Sequence, residues 1–178
     1  MRHGLIALVF IVGITRSLLA TTILPADVGE LSHDAVAIVV GRVVAVDARW
    51  TAERRGIETL VTLDVDTYLK GALGESVQFV TAGGELGRFQ NIVVGAPRFV
   101  KGERVVVFLG THGPSIPFVL GFNQGVFRVT ADRAELVTPP VVLPTAAGGR
   151  IVRGDPSRRP TPLPEFERTV RELVGARR

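Results

Sequence analysis

From Asp34 onward the chain is written in short runs of β-branched residues punctuated by glycine, with little helical periodicity until the C-terminus. Such residues fit a pleated surface and lose rotamer freedom in a helix, so this pattern predicts a β domain. The run Arg104 to Leu109 constrains it most. Val105, Val107 and Leu109 alternate there with Val106 and Phe108, leaving no polar face. A strand of this kind needs cover on both sides, expected from a barrel interior on one and the C-terminal helix or linker on the other.

The remaining strands are placed around it. Asp27 is positioned to cap a short helical turn through Glu30 and Leu31, after which Ala35 to Asp47 reads as a long first strand. Gly41 in its middle suggests a bulge that lets the strand bend around a closing barrel. In Leu60 to Lys70, Val61, Leu63, Val65 and Leu69 alternate with Thr62, Asp64 and Asp66, the signature of a strand with one wet face. Trp50 to Ile57 connects the two as an antiparallel hairpin. Ser76 to Thr81 is a third strand, residues 83 to 98 an irregular excursion, and Lys101-Gly102-Glu103 a turn into the apolar run. Further strands are expected at Phe118 to Leu120, Gly125 to Thr130 and Ala134 to Val137.

Seven prolines between Pro139 and Pro164 exclude this stretch from a sheet interior and mark a surface linker. Beyond it, Phe166, Val170, Leu173 and Val174 fall at helical spacing, which predicts a short amphipathic helix docked on the barrel. The organisation expected is a signal peptide over 1–20, a β-barrel domain over 21–138, a linker over 139–163 and a helix with a basic end over 164–178.

The N-terminus supplies an address. Arg2 and His3 precede an apolar run from Leu5 to Ile14, and Ser17 to Ala20 offer small residues for a signal peptidase. Ten residues at about 1.5 Å each cover only half of a hydrocarbon core of about 30 Å, so cleavage is expected and a stable membrane span is not. The expected location is periplasmic or extracellular. The chain has no cysteine, which rules out disulfides, thiol nucleophiles and cysteine-based metal sites and suits a bacterial envelope.

Charge is uneven. Residues 21–149 carry 11 Lys+Arg against 13 Asp+Glu, whereas 150–178 carry 8 Arg against 4 acids. The basic end lacks interleaved aromatics and any nucleic-acid motif, so it reads as a solvated tail and no nucleic-acid partner is expected.

VVGRVV (Val39 to Val44), VTLDVDTYLKG (Val61 to Gly71), GAPRFVKGERVVVFLG (Gly95 to Gly110) and GFNQGVFRV (Gly121 to Val129) together resemble a widespread family of uncharacterised exported bacterial proteins. That resemblance covers about Ala35 to Val129 and implies a fold and an address, without an activity. More distantly, the order of these motifs is similar to the OB-type barrel of metalloprotease inhibitors and netrin-like modules. The fold class this implies is mainly β: a small closed or partly open antiparallel barrel with an N-terminal helical turn and a C-terminal helix. Those inhibitors act through an N-terminal cysteine on the enzyme's zinc, which this chain lacks, so their mechanism transfers to no residue here.

Candidate chemistry is sparse. His33-Asp34 reads as the polar turn into the first strand and His112 as a loop residue. Asp64 and Asp66, about 7 Å apart on one strand face, would suit paired carboxylate chemistry or a calcium site if Asp47 or Glu58 joined them. Gly83-Gly84-Glu85-Leu86-Gly87 lacks the lysine and hydroxyl of a phosphate loop and reads as a turn. No catalytic, cofactor-binding or metal-binding residue is therefore assigned and no cofactor is expected. The function expected is an exported non-catalytic binding or interaction module, partnered by another envelope or extracellular protein. Its recognition surface would be the loops Trp50 to Ile57, Gly83 to Arg98 and Thr111 to Pro117. The alternative is an envelope hydrolase or metal-binding protein that uses the Asp64/Asp66 face with His112.

Overall fold

The computed structural model describes residues 26–113, 115–132, 135–139, 142–143, 152–153 and 159–176. The signal-peptide expectation over 1–20, most of the linker and the last residues of the basic end lie outside the described residues. In chain order the elements are α1 (Val28–Asp34), β1 (Ala37–Trp50), β2 (Ile57–Lys70), β3 (Ser76–Ala82), β4 (Gly84–Leu86), β5 (Phe89–Asn91), β6 (Arg104–Gly110) and β7 (Phe118–Val119). A 3-10 turn (Phe122–Gly125) leads to β8 (Val126–Val129), β9 (Leu136–Thr138), β10 (Val142–Leu143), β11 (Val152–Arg153), β12 (Thr161–Pro162) and α2 (Leu163–Gly175). The described chain is mainly β, with one large sheet and two helices. None of its helices is long and apolar enough to cross a membrane.

α1 begins as its sequence requires. The Asp27 carboxylate accepts from the Glu30 amide at 2.7 Å, and the Asp27 amide donates to the Glu30 carboxylate at 3.1 Å, a reciprocal capping box. Its last turn is closed by Lys70, whose Nζ donates to the Ser32 and His33 carbonyls at 2.9 and 2.8 Å.

β1 and β2 form the expected antiparallel hairpin, each 14 residues long, with register shifts after Ile38, Val40 and Val43. The shift at Val40/Gly41 sits where the glycine predicts a bulge. It leaves Asp66 without a partner on β1, since Gly41 faces Val65 and Val40 faces Thr67. The bulge changes which way the following residues point. Val61 and Leu63 join one core cluster, while Leu69 joins the cluster on the opposite face of the sheet. The expectation that Leu69 shares a face with Val61 and Leu63 is thereby corrected: strict alternation holds only until an extra residue enters the strand.

The main sheet runs β1-β2-β3-β7-β6-β8-β9-β12, and β1 also pairs with β6 from Ala37↔Leu109 to Arg42↔Arg104. β6 carries the apolar run, and all of Val105 to Leu109 is fully buried. Val105, Val107 and Leu109 pack with Val39, Val61, Leu63 and Phe79, whereas Val106 and Phe108 face Phe127, Leu163, Phe166 and Val170. Both covers of this strand are thus in place, and α2 supplies one of them. Phe108, Phe127 and Phe166 stand in a column, with ring centroids 5.6 and 5.0 Å apart.

α2 runs close to the expected bounds, with Pro164 in its first turn, where a missing amide hydrogen costs nothing. Leu173 departs from the expected buried stripe and is exposed. Three further differences concern the edges. The last strand before the linker, expected from Ala134, spans Leu136–Thr138. Thr161–Pro162, inside the expected linker, joins the sheet as an edge strand on β9, the position that proline tolerates. Val142–Leu143 and Val152–Arg153, also inside it, pair antiparallel with each other.

Candidate binding surface

The irregular excursion after β3 is folded in a defined way. Gly83 adopts φ 86° and Gly84 φ 148°, conformations that a side chain resists. A Cβ at Gly83 would meet the Asn91 carbonyl oxygen at 2.7 Å, and one at Gly84 the Thr59 hydroxyl at 2.6 Å. The tight approach is locked by the Gly83 amide donating to the Ile57 carbonyl at 2.9 Å and the Thr59 hydroxyl donating to the Gly83 carbonyl at 2.7 Å. The chain then turns through Gly87 as the β4–β5 hairpin, packed against β1 and β2. Sequence alone placed no strands here, because three-residue strands are too short to show a period.

The second half of the excursion is anchored at alternate residues. Pro97 and Phe99 are buried, and Phe99 packs edge-on to Phe79 with centroids 5.3 Å apart. The Arg98 carbonyl accepts from Arg128 at 2.6 Å, and the Gly95 carbonyl from the Asn123 amide at 2.8 Å. Held this way, the segment leaves Val93 half-buried and turns three apolar residues outward: Ile92 is 68%, Val94 82% and Val100 66% exposed. On the adjoining ribbon Val46, Trp50 and Phe89 are also exposed, and the Trp50 and Phe89 rings meet edge-on at 5.3 Å.

Two clefts flank the excursion. One, of about 470 Å³, lies among Val46, Ala48, Gly84, Ile92, Pro97 and Val100. The other, of about 610 Å³, lies among Ile57, Val80, Val93, Phe118, Phe122 and Gln124. Both are of a size that holds a ligand or an anchoring side chain. Of the loops expected to form the recognition surface, Trp50 to Ile57 and Gly83 to Arg98 meet here. The third, Thr111 to Pro117, reaches the second cleft through Phe118, on which His112 stacks at 4.5 Å.

Of the carboxylates named by the sequence, Asp66 and Glu58 are held in ion pairs and Asp64 is exposed. Arg104 at the start of β6 donates to Asp66 at 2.7 Å and to Glu135 at 2.6 Å. Burial alone would lower the Arg104 pKa, but the hydrogen bonds and charges of Asp66 and Glu135 outweigh it and raise the value, so the guanidinium is held charged. Asp64 is exposed opposite Arg42, and Glu58 pairs with Arg49 at 2.8 Å. Asp66 is held at Arg104, the first residue of β6, whereas His112 lies two residues past the last, Gly110, so about 20 Å of strand separates the two ends. The His33 carbonyl receives Lys70, within the last turn of α1. Among the described residues no three His, Asp or Glu side chains are grouped to hold a metal ion.

No protein-family model matches the chain, and no curated protein matches it. The reading of function therefore rests on the arrangement of its own residues.

Proposed function

We propose that the chain is an exported, non-catalytic binding module built on an OB-like barrel, and that it recognises another envelope or extracellular protein through the clefts around residues 83–100. The barrel reading is supported by a circuit of pairings: β1-β2-β3-β7-β6 and back to β1, with β3 and β7 parallel and the other pairs antiparallel. Export is supported by the order of charge, apolar run and small residues over 1–20.

The observation that carries the binding reading is the exposure of Ile92, Val94 and Val100 beside two clefts, on a segment pinned by Pro97 and Phe99. Apolar side chains held outward by a fixed backbone mark interaction sites, because apolar area removed from water contributes about 25 cal/mol per Å². Replacing all three by Ser tests it. The variant is expected to keep its melting temperature, since the side chains contact little in the free chain, and to lose retention of the envelope protein that the wild type retains. Undiminished retention by the variant would reject the surface.

A further inference from the structure

We propose that the open edge of β1, from Val44 to Trp50, pairs antiparallel with the same edge of a second copy of this chain. This goes beyond the cleft reading and does not depend on it. β6 accompanies β1 only as far as Arg42, and the turn before β6 reaches one residue further, with the Val43 amide donating to the Glu103 carbonyl at 2.9 Å and the Gly102 amide donating to the Val43 carbonyl at 2.8 Å. Beyond Val43, β2 is the only strand hydrogen-bonded to β1 among the described residues, and the β4–β5 hairpin packs across the face that carries Ala48 and Trp50 without pairing with this edge.

Exposure changes at the same point. Ala37 to Gly41 are all buried, whereas none of Val44 to Trp50 is. Proteins protect open edges with charged side chains, proline, bulges or a covering loop, and this edge has a bulge at Val44 and two charges of opposite sign, Asp47 and Arg49. From Ala45 to Trp50 the sequence holds no proline, glycine or lysine, and the β1–β2 register is unbroken. Backbone donors and acceptors on this edge can be satisfied by one more strand.

The side chains identify that strand as a second copy. Laid antiparallel about Ala48, the segment Val46-Asp47-Ala48-Arg49-Trp50 matches itself: Asp47 falls opposite Arg49 of the second copy, Val46 opposite Trp50, and Ala48 opposite Ala48. Each charge meets its opposite twice, and the smallest residue lies on the two-fold axis. Glu58 already holds Arg49 at 2.8 Å from the other side, so Arg49 would bridge two carboxylates across the continuous sheet. The apolar face of the joined edges would bring the cleft lined by Val46 and Ala48 against its counterpart.

Sedimentation equilibrium of the full-length protein with a charge exchange tests this. The wild type is expected to dimerise with rising concentration. Asp47→Arg alone and Arg49→Asp alone each set like charges opposite one another twice and are expected to weaken the dimer by about tenfold or more. An equimolar mixture of the two variants restores both opposite-charge pairs and is expected to dimerise again, while each variant alone keeps the wild-type circular dichroism spectrum and so remains folded. A wild type that stays monomeric, a dimer indifferent to either substitution, or a mixture no tighter than its components would overturn the proposal.

Discussion

A Cβ added at Gly41 would lie 2.4 Å from the Asp64 carbonyl oxygen, so β1 and β2 come this close only because position 41 carries hydrogen. The glycine inside a β-branched run is legible in sequence, but the extra residue beside it is Asp66 on β2, and the bulged residue of β1 is Val44. Gly41→Ala is expected to cost about 1 to 3 kcal/mol in urea unfolding, because the obstacle is backbone that can move only with the sheet. A cost below about 0.5 kcal/mol would mean that the strands have slack there. Phe108 poses the opposite case. It is fully buried between the sheet and α2, and Phe108→Ala is expected to cost about 3 to 5 kcal/mol through the cavity it leaves. The Asp64 side chain is exposed, and Asp64→Ala is expected to change stability by no more than about 0.5 kcal/mol. A larger loss would assign that carboxylate a structural or ion-binding role.

α2 covers the outer face of β6 through Leu163, Phe166 and Val170, packed against Val106, Phe108 and Phe127. Deleting Pro164 to Arg178 uncovers that face and is expected to lower the melting temperature and drive association, readable by calorimetry and light scattering. A truncated chain that melts like the wild type and stays monomeric would show that the helix does not shield the strand. The doubly apolar run of β6 announced this cover, and the helical spacing of Phe166 and Val170 identified its source. What the sequence did not disclose is equally specific. The β4–β5 hairpin is too short for a period, and Leu69 changes face because of a bulge whose extra residue, Asp66, looks like any other polar position. The clefts depend on Pro97 and Phe99 turning inward, and a loop reading of residues 83–98 contains no rule that says which of its apolar residues do so.

At the scale of the molecule, a sheet whose pairings run in a circuit carries an apolar surface on one pinned excursion, and export is proposed from the first 20 residues. Export predicts that envelope material carries a chain shortened by the first 20 residues or within a few of that cut, measurable as intact mass. Material starting at Met1 would contradict it. Recognition of another protein at the clefts is the central claim, and the most direct measurement is photo-cross-linking inside the bacterial envelope from a photoreactive residue placed at Ile92, with Asp64 as the control position. One discrete adduct is expected from position 92, heavier than the chain by an exported protein other than a second copy of this chain, identified by mass spectrometry, and none from position 64. Position 92 yielding no adduct, or the same adducts as position 64, would contradict it.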